Sequence, residues 1–267
     1  MDEDIFGDNN VIEYPKKGAK LFQGTSNYYE FAHFGWGIKS SFYGFIKGYK
    51  GVSDRAVDFA VKSKDIAILD THVFPIIFNY RQFLELSLKA LYLDYSSDPT
   101  EVKKEKFKDF NHNLMTVWNA IEPMLLEVCG SNKEMVKHAK GYVEQFHKQD
   151  KSSFSFRYPI TKQLEPIHKK EERFDLVNLK NRMEELDNYF GGADGALDYL
   201  KSCIQDQEEY RNEMRAEWEA EIQAMQNEAR AEWEAEGRAI QAEHEAEARQ
   251  EIEAEMRAET LANREYE

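Results

Sequence analysis

Apolar residues recur at helical spacing along most of this chain, and the strict alternation typical of strands is almost absent. The strongest helical pattern runs from about residue 66 to 95, with Ile76, Tyr80 and Leu84 on one side. Pro75 is expected to kink this helix without ending it. Further helical patterns cover about residues 53–64, 112–128, 132–148 and 174–190. Short connections between long amphipathic helices predict an all-α fold, a helical bundle.

The segments between these helices carry the expected breaks. Residues 1–24 predict an irregular arm, and Thr25 or Ser26 is placed to cap a helix in the aromatic stretch that follows. The lysine-rich stretch 96–108 predicts a charged loop, and 151–170 predicts an irregular segment. Gly191-Gly192 has the composition of a helix stop. The sequence thus divides into an N-terminal arm (1–24), a helical domain (25–205) and a C-terminal tail (206–267).

The tail differs from the rest of the chain in charge. Its 20 Asp and Glu against 7 Arg give a net charge of −13, nearly all of the −15 carried by the whole chain. It has no lysine or proline and consists mainly of Ala, Glu, Arg and Gln, which favour helix. We therefore expect one long helix that continues from the bundle, with nucleic acid repelled from it.

The few apolar residues of the tail recur at a spacing of eleven, typical of a nearly straight helical seam. RAEWEAE at 215–221 is repeated at 230–236, which places two tryptophans in this seam. A solvated single helix and a coiled-coil or helix-packing interface are both open, and we favour the interface because exposed aromatic rows mark contact sites. The excess of acid leaves room for a basic protein partner. The predicted interface residues are Met214, Trp218, Ile222, Met225, Trp233 and Ile240.

One polar row in the bundle has candidate chemistry. Arg81, Glu85 and Lys89 follow one another at helical i, i+4 spacing, and His112 and Arg157 are candidates to join them. Metal-independent RNA cleavage needs a base for the 2′-hydroxyl proton and cations for the phosphorane charge, which such a set can supply. The alternative is a solvent-facing row of ion pairs.

Three segments in this order resemble the HEPN superfamily: FNYRQFLELSLKALYL (78–93), FNHNLMTVWNAIEP (110–123) and DKSSFSFRYP (150–159). The resemblance covers about residues 66–200. It implies a compact helical dimer of bacterial toxin–antitoxin or antiphage systems, in which active members cleave RNA without metal through an R-x4-6-H motif. In this chain only Arg238 and His244 have that spacing, and both lie in the acidic tail. The departure favours a degenerate HEPN-like interaction module over a ribonuclease.

Composition and motifs also predict the localisation of the protein and which ligands it binds. Two distant cysteines, an N-terminus without a signal-peptide pattern and the lack of a long apolar run predict a soluble cytoplasmic protein without membrane association. Histidine spacing predicts no metal site, and no nucleotide-binding motif predicts a cofactor. Lysine-rich loops keep RNA as a candidate ligand of the bundle.

These observations lead to two hypotheses of function, and an unrelated helical adaptor stays open beside them. The first is a HEPN-like component of a bacterial defence or toxin–antitoxin system, a scaffold that forms a homodimer or higher oligomer through its C-terminal helix and binds a protein partner through the tail. The alternative is a metal-independent ribonuclease that uses the polar cluster around Arg81 and His112.

Overall fold

The computed structural model describes residues 14–35 and 37–264, with side chains up to residue 258. The prediction of an all-α fold with a long C-terminal helix is confirmed for these residues. The one β pairing among them is an isolated bridge between Ile160 and Pro166. The helices are α1 (Ile38–Ser63), α2 (Ile66–Tyr95), α3 (Thr100–Phe110), α4 (Leu114–Val128), α5 (Lys133–Gln149) and α6 (Leu176–Arg264). None of these described helices combines the length and the apolar character that crossing a bilayer requires.

The chain forms two compact units. The first contains the described residues up to 90 together with 153–177, and the second contains 91–152 and the described residues from 178 onward. The core of the first unit comes mainly from α2, where Ile76, Tyr80 and Phe83 are fully buried. In the second unit Trp118, Leu114 and further side chains of α4 are fully buried, and α4 packs against α5 and α3.

Helix α1 begins later than the helix predicted after Thr25 or Ser26, and it includes the helix predicted at 53–64. No helix begins at Thr25, since residues 25–35 contain only turns, bends and irregular backbone. Gly35 and Gly37 both adopt φ +91°, in the left-handed region that interrupts a right-handed helix, so α1 begins only at Ile38. The predicted helix at 53–64 is instead the second half of α1. Of the irregular N-terminal arm predicted at 1–24, residues 14–24 contain no helix, as expected, and residues 1–13 lie outside the described residues.

Helix α2 runs unbroken past Pro75, as predicted. The charged loop expected at 96–108 is wrong, because Thr100–Phe110 forms α3. An aromatic contact stabilises this helix: the ring of Phe110 packs edge-on against that of Tyr92, with 5.1 Å between the ring centroids. The many lysines of residues 96–108 gave no sign of this contact in the sequence. Helix α4 then begins after Asn113, whose side chain accepts hydrogen bonds from two backbone amides of the first turn.

Helix α6 contains 89 residues and is about 130 Å long at 1.5 Å per residue. The helix stop expected at Gly191-Gly192 is wrong: both glycines are helical, flanked by the buried side chains of Phe190 and Ala193. Buried neighbours on both sides offset the propensity cost of about 1 kcal/mol per glycine. The prediction that the helix continues into the tail is confirmed, so the proposed boundary at residue 206 lies inside one helix. We call α6 residues 206–258 the arm.

Candidate functional site

The predicted polar row on α2 forms a chain of ion pairs. Arg81 Nη1 donates to Glu85 Oε2 at 3.0 Å, and Lys89 Nζ donates to Glu85 Oε1 at 2.6 Å. Arg81 is 0% exposed and Glu85 3% exposed. The alternative of a solvent-facing row is therefore wrong: Arg81 and Glu85 lie inside the first unit and Lys89 is half-buried, and we call the three residues the buried triad.

Burial of the triad follows from its neighbours on α2. Phe83, Tyr80 and Leu88 are fully buried and, together with Arg81 and Glu85, cover an arc of about 200° of α2, so this part of the helix is buried on more than half of its circumference. A charge in such a place is retained only when it is paired and hydrogen-bonded, and Glu85 provides that pairing for both cations. Gln82 Nε2 also donates to Ser153 Oγ at 2.7 Å, which ties α2 to the segment after residue 152.

The other two predicted catalytic residues lie elsewhere in the fold. His112 is exposed in the second unit, in the turn between α3 and α4, with φ 63°. Arg157 is exposed in the first unit, with its guanidinium 5.1 Å from the ring centroid of Tyr158. The structure thus brings together Arg81, Glu85 and Lys89. The catalytic role assigned to these five residues stays a prediction.

The predicted interface residues of the arm form an exposed apolar stripe. At about 100° per residue they fall within an arc of about 100°, and we call this set the arm stripe. Past Cys203, every described side chain up to residue 258 is exposed except Ile222, which is half-buried. Trp218 is 63% exposed and Trp233 is 76% exposed. A contiguous exposed stripe with two indoles is typical of an interaction surface.

The arm stripe continues the side of α6 that is packed in the second unit. Leu186, Ala193 and Leu197 are buried, and at about 100° per residue their helical positions lie within the arc of the arm stripe. The same face of one helix is therefore covered as far as residue 197 and exposed beyond it. This continuity indicates that the arm stripe has the character of a core face without its cover.

Ion pairs on the arm are local and exposed. Arg230 Nε donates to Glu234 at 3.0 Å, and Arg257 lies 3.7 Å from Glu253. Pairs of this kind contribute about 0.3–0.5 kcal/mol each to a helix. They support the helical state of the arm and leave the net negative charge of the arm in place.

A polar cluster closes the turn after α2 in the second unit. The Tyr92 hydroxyl donates to Asp98 at 2.6 Å, and Lys106 Nζ donates to the same carboxylate at 2.7 Å. The hydrogen bond from Lys106, followed by those from Tyr92 and Ser96, lowers the pKa of Asp98 from 3.8 to about 2. Asp98 is thus an anion that the fold stabilises.

Sequence reasoning missed a groove of about 830 Å³ in the first unit. Its apolar wall includes Val73, Phe74 and Phe156, and the ring of His168 lies 5.0 Å from that of Phe156. The segment 168–177 forms the charged side of the groove. Its residues are distant in sequence from α2, so no periodicity in the chain could have revealed the groove.

Within the described part of the chain, no three His, Cys, Asp or Glu side chains converge as a metal site requires. Comparison with protein-family models, with curated proteins and with solved structures finds no match for this chain. The fold and the sites above therefore define it as an all-α protein with a buried ionic triad and an exposed helical arm.

Proposed function

We propose that this chain is a helical interaction and scaffold protein that assembles through its C-terminal arm. The single observation that carries the proposal is the arm stripe: an apolar, tryptophan-containing face that continues a packed face of the same helix and is exposed past residue 203. Burial of such a face on association contributes about 25 cal/mol per Å². Association is the ordinary way in which a face of this kind is covered.

The alternative function, metal-independent RNA cleavage around Arg81 and His112, has weaker support. A cation that stabilises a phosphorane must reach the phosphate, and Arg81 is fully buried. Glu85 already pairs with Arg81 at 3.0 Å and with Lys89 at 2.6 Å. A role for the triad in holding α2 within the first unit accounts for the same residues with no substrate.

The resemblance to the HEPN superfamily suggests the setting of this scaffold. We place it in the bacterial cytosol, as a HEPN-like component of a defence or toxin–antitoxin system in which the arm also offers an acidic surface to a basic protein partner. The lack of an R-x4-6-H motif in residues 1–205 fits a module that has kept assembly and lost catalysis.

Light scattering tests the proposal. The wild-type chain is expected to have at least twice its monomer mass of 31.3 kDa, and Trp218→Ala with Trp233→Ala to lower that mass to the monomer. Ile252→Ala with Met256→Ala is the matched control, because both residues are exposed on the arm but lie off the arm stripe. A mass that the tryptophan substitutions leave unchanged would contradict the proposal.

A further inference from the structure

Helix α1 carries a second exposed apolar face. Its members recur at i, i+4 and i+7, the repeat with which helices pack lengthwise against other helices, and at about 100° per residue they fall within an arc of about 100°. Phe45 is 58% exposed and Phe59 is 56% exposed, while the neighbouring side of α1, which contains Ser53 and Val57, is buried. Four members of this face are exposed and two are half-buried, and we call the set the α1 stripe: exposed Ile38, Phe45, Val52 and Phe59, with half-buried Phe42 and Tyr49 beside them.

The N-terminal end of the α1 stripe borders a recess. Its volume is about 390 Å³, which is enough for an aromatic side chain, and its wall is almost entirely apolar. Interfaces between helices gain most from a large aromatic residue that fills such a recess. The residues around it are Gly37, Ile38, Ser41, Phe42, Phe45 and Leu86.

Net charge distinguishes two surfaces that could pack on the arm stripe, a second arm and helix α1. Residues 214–240, which contain that stripe, have seven Glu and three Arg, a net charge of −4. Helix α1 has five Lys and Arg against two Asp, a net charge of +3. Two arms packed on each other would place a net charge of −4 beside another net charge of −4. An arm packed on α1 would place a net charge of −4 beside a net charge of +3. Complementary potentials favour the second pairing.

The lengths of the arm stripe and the α1 stripe agree with this pairing. The α1 stripe extends from residue 38 to 59, about 32 Å along the helix, and the arm stripe extends from 214 to 240, about 39 Å. Both faces carry aromatic residues at intervals that allow one helix to lie along the other. Each face is thus long enough to cover most of the other.

We propose that the arm stripe of one copy packs along the α1 stripe of a second copy. The inference rests on the proposed function, since it names the partner surface for an arm that mediates assembly. The two surfaces of this contact differ, so the interface is heterologous: each copy offers one arm and one α1 stripe, and assembly continues until a ring closes or a chain grows.

Complementation between two variants tests the inference. One variant carries Trp218→Ala and Trp233→Ala in the arm, and the other carries Phe45→Ser and Phe59→Ser in α1. Each alone is expected to be monomeric by light scattering and to keep the thermal midpoint that the wild type has at concentrations where it is monomeric, because the substituted side chains are mostly exposed. Mixed in equal amounts, they are expected to form a dimer, because one intact arm then meets one intact α1 stripe.

The outcomes separate the inference from the proposed function. If the α1 variant keeps the wild-type mass while the arm variant loses it, the arm has another partner surface: the inference fails and the proposed function stands. If the arm variant also keeps the wild-type mass, or if the wild type is a monomer, both fail. A mixture that stays monomeric would likewise overturn the heterologous contact. Tyr43→Ser, on the other side of α1, is the matched control and is expected to keep the wild-type mass.

Discussion

Tryptophan and glutamate occupy opposite environments in the packed units and in the arm. Trp118 is 0% exposed in the second unit, whereas Trp233 is 76% exposed on the arm. Glu85 is 3% exposed between two cations, whereas Glu234 pairs with Arg230 in solvent. In the units, charge is enclosed because it is paired; on the arm, apolar surface is exposed although it has the pattern of a core. The contrast shows that side chains of core type are exposed on the arm and enclosed in the units.

The largest expected effect is the loss of a buried tryptophan. Trp118→Ala leaves a cavity in the second unit and is expected to lower the free energy of unfolding by about 3–5 kcal/mol. Trp233→Ala, the same substitution on the arm, is expected to change the stability of the monomer by less than about 0.5 kcal/mol. Urea denaturation monitored by circular dichroism measures both.

Similar losses for the two tryptophan variants at a concentration where the chain is monomeric would contradict the comparison. If Trp118→Ala does not fold, Trp118→Phe offers a smaller cavity at the same position. Trp118→Phe is expected to lower the free energy of unfolding by less than Trp118→Ala would. The decrease should still be larger than that caused by Trp233→Ala.

The next effect is the removal of the carboxylate of the buried triad. Glu85→Ala takes away the partner that Arg81 and Lys89 share, and breaking a buried ion pair from one side is expected to cost about 3 kcal/mol of unfolding free energy. Glu234→Ala breaks an exposed pair on the arm and is expected to cost about 0.3–0.5 kcal/mol. A triad variant as stable as the arm variant would show that burial of the triad contributes nothing.

A smaller effect is expected from acid at the turn after α2. The pKa of Asp98 is about 2 in the folded state against 3.8 ordinarily, so the unfolded chain takes up this proton first. The stabilisation is complete above about pH 4 and is lost as the pH falls towards 2. Asp98→Asn is expected to lower the thermal midpoint at pH 7 and to flatten its decline between pH 4 and 2. Parallel declines in the two proteins would exclude this carboxylate as a source of acid sensitivity.

Helical periodicity predicted most of the fold. Helices α2, α4 and α5 and the continuous C-terminal helix follow their apolar patterns closely. The errors occurred where composition conflicted with tertiary contacts. The lysines of residues 96–108 led to the prediction of a loop, but α3 forms there and is stabilised by the packing of Phe110 on Tyr92. The glycines in the first half of α1 argued against a helix that the structure contains.

The candidate sites were less accessible to sequence reasoning. Arg81, Glu85 and Lys89 were identified, but their i, i+4 spacing is the same on an exposed helix and on an enclosed one, so their burial depended on contacts from distant segments. The residues of the arm stripe were predicted to share one helical face and they do, because a single helix follows its own periodicity, whereas their role as an interface stays a prediction. The α1 stripe has an equally regular spacing of seven, and it was missed because the helix around it was not recognised.

Hydrogen exchange along α6 tests the central claim most directly. The amides of residues 214–240 are expected to exchange slowly at high protein concentration and rapidly on dilution, while those near Leu186 stay protected at both because their packing lies within one chain. Trp218→Ala with Trp233→Ala is expected to give the rapid exchange at every concentration. Exchange of residues 214–240 that is independent of concentration would contradict assembly through the arm and would define α6 beyond residue 203 as a solvated single helix.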